Sequence, residues 1–133
     1  KYYGGRVEIS AFAVADVAIA GRYGEALVAL RHALASGSDP VPMVAAIAMK
    51  LRTMARVAGS RESSGVLAAR IGMKDWQVDR ARRDLMGWSQ DQLGIAIQAA
   101  ARADAEVKGA SRDPVFAIER LVTVIATRAP FGA

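Results

Sequence analysis

Side chains able to do acid–base or nucleophilic work are few in this chain, and their spacing argues against such work. The single histidine, His32, follows Arg31 in a helical pattern with no GxSxG elbow to supply a nucleophile, so it reads as a partly exposed helical residue. Asp75 with Asp79, and Asp104 with Glu106, can be paired as carboxylates. Both pairs have basic neighbours at helical spacing and no apolar pocket to raise a pKa, which fits surface ion pairs. The nearest approach to a phosphate loop, residues 59–65, has no lysine and follows a helix instead of a strand. With no cysteine there is no thiolate nucleophile, disulfide or thiolate metal site, and one histidine builds no metal cluster. No catalytic residue, metal or cofactor is expected.

The more suggestive string is LAARIGMKDWQVDRARRDL, residues 67–85. Ala69, Gly72 or Met73, and Val78 mimic the small, turn and apolar positions of a helix-turn-helix, with Arg80, Arg82 and Arg83 near phosphates. A DNA-binding regulator using residues 64–86 is therefore one reading. An ordinary helical hairpin gives the same pattern, and Asp75, Asp79 and Asp84 dilute the positive field. Trp76 and Trp88 read as core or interface anchors, although an exposed Trp76 beside arginines suits base stacking.

The elements that position these residues are helices. Hydrophobic residues are 53% of the 133, aromatics 6%, and alanine is abundant, which favours close-packed helices over a sheet. The fold expected is all-α, one bundle of about seven helices. Residues 1–9 read as the end of an upstream linker or domain, with Gly4-Gly5 breaking regular structure and a short extended piece at residues 6–9. Residues 10–133 read as the helical domain. Helices are expected over about residues 10–20, 23–35, from Pro40 to before Gly59, 64–71, 75–86, 89–108 and from Pro114 onward. Asp39-Pro40 and Asp113-Pro114 each pair a capping acceptor with a proline at the first helical position, and Ser89 with Gln92 is a capping-box spacing. The chain starts at Lys1 with no initiator Met or signal pattern, so a longer polypeptide is expected. No membrane span is expected, and the lack of cysteine is compatible with a cytoplasmic setting.

The net charge of +5 is not spread evenly. Residues 40–86 hold nine basic and four acidic groups, whereas the segments on either side are each balanced. A local surface facing a polyanion or an acidic partner follows.

Read in order, four segments resemble one family. FAVADVAIAGRYGEALVALRHAL (12–34) has an Ala15-Asp16 step before a helix with Gly24 and Ala29-Leu30. SGSDPVPMVAAIAMKLRTMARV (36–57) is a proline-opened amphipathic helix with basic residues. Residues 67–109 close on Ala103, Asp104, Lys108 and Gly109, and DPVFAIERLV (113–122) carries Ile118, Glu119 and Leu121. The set resembles the C-terminal collar domain of the delta subunit of the bacterial DNA polymerase III clamp loader. The resemblance implies a helical collar that joins the other subunits, ATPase gamma/tau and delta-prime type, into a pentameric ring above primer–template DNA. It also implies absent N-terminal domains, one of which opens the sliding clamp, in a subunit of a DNA polymerase holoenzyme. It implies no chemistry for this part. Candidate DNA contacts are Trp76, Arg80, Arg83 and Arg112; candidate subunit contacts, taken as lying off the inward stripes, are Lys50, Arg52, Arg120 and Val124.

Overall fold

A computed structural model describes the backbone of residues 2–110 and 113–128, and the side chains of residues 10–109 and 113–128. Seven α-helices follow in order: α1 Tyr2–Ile19, α2 Tyr23–Ala35, α3 Pro40–Val57, α4 Ser64–Ile71, α5 Asp75–Asp84, α6 Gln90–Ala105 and α7 Pro114–Thr127. A π-helical turn, Glu106–Ala110, links the last two. Among the described residues there is no strand.

The starts of three helices follow directly from local sequence. Asp39 Oδ1 accepts the Val41 N–H at 2.9 Å and Asp113 Oδ1 accepts the Phe116 N–H at 2.9 Å, each beside its proline. Ser89 and Gln92 complete a reciprocal box, with N···O distances of 3.0 and 2.9 Å. The start of α1 departs from expectation. Gly4 and Gly5 do not break the chain, and residues 6–9 are helical instead of extended. A helix tolerates interior glycine at about 1 kcal/mol each relative to alanine when the rest of it is well packed. Here Ala11, Val14, Ala15, Ala18 and Ile19 are all buried.

Helices α1, α2, α3, α6 and α7 share one apolar core around Leu30, Ile47, Leu51, Ile118, Leu121 and Ile125. Helix α7 packs against α1, α2, α3 and α6, so a wide arc of it is buried. Val124, expected off the inward stripe, is accordingly only 7% exposed. The α4–α5 hairpin stands apart with a small core that it shares with the end of α3: Leu67, Ala68, Val78 and Ala81 pack with Val57. Its main support is α3, through α5. Gly59 and Gly87 flank it at φ of 85° and 83°, a left-handed conformation that a Cβ disfavours.

The far end of the bundle is fastened by Arg128, itself left-handed at φ 56°. Its guanidinium donates to Ile19 O at 2.6 Å and Ile125 O at 3.0 Å, so one cation serves the C-terminal carbonyls of both α1 and α7. It also lies 3.9 Å over the Trp88 ring, whose Nε1–H donates to the same Ile19 carbonyl at 3.1 Å. Burial lowers the pKa of Arg128 from its ordinary value. Trp88 is thus a core anchor, as the sequence suggested.

Candidate functional site

Two cations of the basic middle third, Lys50 and Arg80, meet at the groove between α3 and α5. Lys50 reaches from α3, Arg80 and Asp84 from α5, and Asp16 from α1. Lys50 Nζ stands 3.2 Å from Asp16 Oδ1 and 3.0 Å from Asp84 Oδ2. Those two oxygens are buried and accept no hydrogen bond, so Lys50 meets them by charge rather than by an aligned N–H. Arg80 takes the other oxygens, its Nη2 2.6 Å from Asp16 Oδ2 and its Nε 3.5 Å from Asp84 Oδ1. Two cations and two anions form a closed quartet. The hydrogen bond and charge of Asp16, with a smaller part from Asp84, raise the pKa of Arg80 and hold it protonated.

Around the quartet the groove is apolar. Phe12, Met49, Met54, Met73 and Trp76 line it, and its volume is about 290 Å³. Trp76, at the start of α5, is 63% exposed. It is therefore no core anchor, while the interface and base-stacking readings both call for such an exposed ring. Met49 is also exposed, and no sequence pattern had marked it out, because an exposed methionine at helical spacing looks like any other apolar residue.

The other arginines of the middle third have separate duties. Arg82 turns back onto the loop before α4, donating to Glu62 O at 2.5 Å and Ser64 Oγ at 3.1 Å. Arg56 caps α4 through Ile71 O at 2.6 Å. Arg70 bonds Glu62 Oε1 and Oε2, and that bond, partly opposed by desolvation, lowers the pKa of Glu62. Arg52 and Arg83 are exposed, with no ion-pair partner among the described residues. Of the three arginines expected near phosphates in a helix-turn-helix, only Arg83 is thus uncommitted. Asp79 is turned to the Ser64 hydroxyl and Asp75 approaches Gly65, so acids sit where α5 meets the start of α4. Such a face is a poor sequence reader.

The expected subunit-contact residues do not form one patch. Lys50 is inside the quartet and Val124 is inside the core, which corrects both as residues off the inward stripes; Arg52 is exposed. Arg120 bonds Glu106 and lies 5.3 Å over the Phe116 ring. The hydrogen bond from Arg120 lowers the pKa of Glu106, with Arg102 adding to the effect. Phe116, 54% exposed, and Val115 extend this patch at the start of α7 and were missed because they follow a proline cap instead of a charge cluster. Arg112 lies outside the described residues. His32 is exposed on α2.

Comparison with known proteins decides what this architecture is. The family model described as DNA polymerase III delta subunit, C-terminal domain, matches residues 8–125. This chain belongs to that family. Among solved structures, the Bacillus subtilis DNA clamp loader delta protein (YqeN) superposes with a TM-score of 0.80 at 18% identity, over 90% of this chain. The match covers 36% of that protein, so the chain spans about a third of its length. No curated protein sequence matches. The delta C-terminal domain is thus an all-α bundle with the α4–α5 hairpin set on its side. No helix among its described residues is long and apolar enough to cross a membrane.

Proposed function

We propose that this domain is a collar: an assembly module that joins clamp-loader subunits into a ring and does no chemistry of its own. The match to the delta family over residues 8–125 carries the reading. The partners are the loader's ATPase gamma/tau and delta-prime type subunits. The patch of exposed Phe116 and half-buried Arg120 on α7, and Arg52 on α3, are the surfaces proposed to meet them; arginine and phenylalanine are suited to anchoring an interface. Residues 1–9 would lead from domains upstream, of which the first would bind and open the sliding clamp.

The α4–α5 hairpin is proposed to face primer–template DNA within the assembled ring. Trp76 would offer an unpaired base a stacking face, and Arg83, with Arg80, would meet backbone phosphates. Arg112 is proposed as a further contact. Such binding is weak, salt-sensitive and dependent on structure instead of sequence.

Mixing this chain with the loader's ATPase subunits and separating by size tests the assembly role. Co-elution is expected, and a chain that keeps its helical circular dichroism yet never co-elutes overturns it. Titration with duplexes of differing sequence and with primer–template DNA, at two salt concentrations, tests the DNA-facing role. Tight sequence-selective duplex binding would restore the helix-turn-helix reading of residues 64–86.

A further inference from the structure

The groove presents two cations whose charge is already taken. Lys50 and Arg80 flank the exposed Trp76, yet Asp16 and Asp84 leave the quartet with no net charge. The two acids differ in attachment. Asp84 shares α5 with Arg80 and stays with it, whereas Asp16 belongs to α1 and the bundle. The hairpin's small core is separate from the main one and takes in only Val57 from α3, and the hairpin connects to the bundle through that helix, with Gly59 and Gly87 at its two ends. The 2.6 Å contact from Arg80 to Asp16 therefore ties the hairpin to α1.

We infer that Asp16 is an autoinhibitory clasp: it holds the Arg80 guanidinium in the free domain, and a DNA phosphate takes Arg80 only by displacing Asp16. The inference rests on the DNA-facing reading above and adds a regulation to it. The exchange is nearly balanced in kind, since carboxylate and phosphate both present oxygens to the same planar donor set. What the clasp changes is the fraction of molecules ready to bind, and apparent affinity falls by that fraction. Opening it removes the direct ion pair between the hairpin and α1, leaving Lys50 between Asp16 and Asp84 as the remaining link, while the small core of the hairpin and Val57 stays intact. Primed DNA would thus be met by a hairpin with more freedom to fit it, and the domain alone would hold DNA poorly despite its +5 charge.

The test compares Asp16→Asn with Glu25→Gln. Both remove one negative charge, but Glu25 is exposed on α2 and meets Arg22 at 3.8 Å, away from the quartet. Fluorescence anisotropy with primer–template DNA should show a rise in affinity of about tenfold for Asp16→Asn, the worth of one charge-assisted contact. The rise for Glu25→Gln should stay below about twofold, as expected for a screened remote charge. Adding Arg80→Ala to Asp16→Asn should cancel the gain. Without DNA, hydrogen exchange should quicken across α5 in Asp16→Asn alone. Equal gains in the two variants, or no gain and no change in exchange for a folded Asp16→Asn, overturn the clasp. Faster exchange with no DNA binding by any form, even at low salt, overturns the DNA-facing reading and the clasp's role with it.

Discussion

Lys50→Met should destabilise this domain by about 2 kcal/mol although it hardly alters side-chain volume. The ammonium lies 3.2 and 3.0 Å from two carboxylate oxygens, and Lys50 is only 16% exposed at its side chain. Removing one member of a buried ion set costs about 3 to 5 kcal/mol, because the remaining charges keep their desolvation penalty and lose their partner. Asp16 and Arg80 are partly exposed and Arg80 stays to face both acids, which brings the figure down to about 2 kcal/mol. The methionine still packs along the groove wall beside Met54, so lost apolar contact contributes little. Urea denaturation followed by far-ultraviolet circular dichroism measures the change, and a fall in Tm of about 6 to 10 °C should accompany it for a domain of this size. Adding Asp84→Asn should recover about 1 kcal/mol, since the one acid in excess over Arg80 is then gone. A loss below about 0.5 kcal/mol for Lys50→Met would mean the quartet is no more than a surface ion pair and would refute the reasoning. So would a double variant whose loss is the sum of the single losses.

Arg128→Ala should cost about 2 kcal/mol through its lost bonds to helix-end carbonyls and the Trp88 ring. Arg128→Gly should cost about 1 kcal/mol less, since glycine relaxes the left-handed backbone; thermal melts of both variants check the order. Glu106 has its folded pKa held below the ordinary 4.5, chiefly by the hydrogen bond from Arg120. Its contribution is therefore complete above that value and is lost as pH falls through the folded pKa, so Glu106→Gln should flatten the acid side of the stability–pH curve. Trp76→Ala should weaken primer–template binding by about 1 to 3 kcal/mol if a base stacks there. The same variant should leave the urea midpoint nearly unchanged, because the ring is mostly exposed. Arg83→Ala should lower the salt dependence of that binding by about one unit of slope.

Much of the helix order is written locally and could be read that way. The Asp-Pro starts and the Ser89–Gln92 box need only neighbours within a few residues, and all three formed as their side chains dictate. The start of α1 was misread because Gly4-Gly5 is a local breaker, whereas the helix is supported by the long-range packing of Ala11, Val14 and Ala18. Val124 was misjudged for a related reason. A single inward stripe is assumed for a surface helix, and α7 is surrounded by four others. The quartet was illegible because its members sit at positions 16, 50, 80 and 84 on three helices, and no pattern along the chain connects them. Once assembled, it changes the meaning of the charge count, since Lys50 and Arg80 are spent within the domain.

The Arg128 fastening also bears on how the chain acquires its structure during synthesis. The carbonyl at the end of α1 belongs to residue 19, and its two donors come from residues 88 and 128. A ribosome delivers them in that order, so α1 is first secured by the indole and receives the guanidinium only when the last helix has been made. Until then α1 has no final neighbour along α7, and the apolar faces of α1, α2 and α3 await the strip that covers them. Closure of the bundle thus waits for α7, and a nascent chain stopped before that helix would present an open core to whatever chaperone stands at the exit.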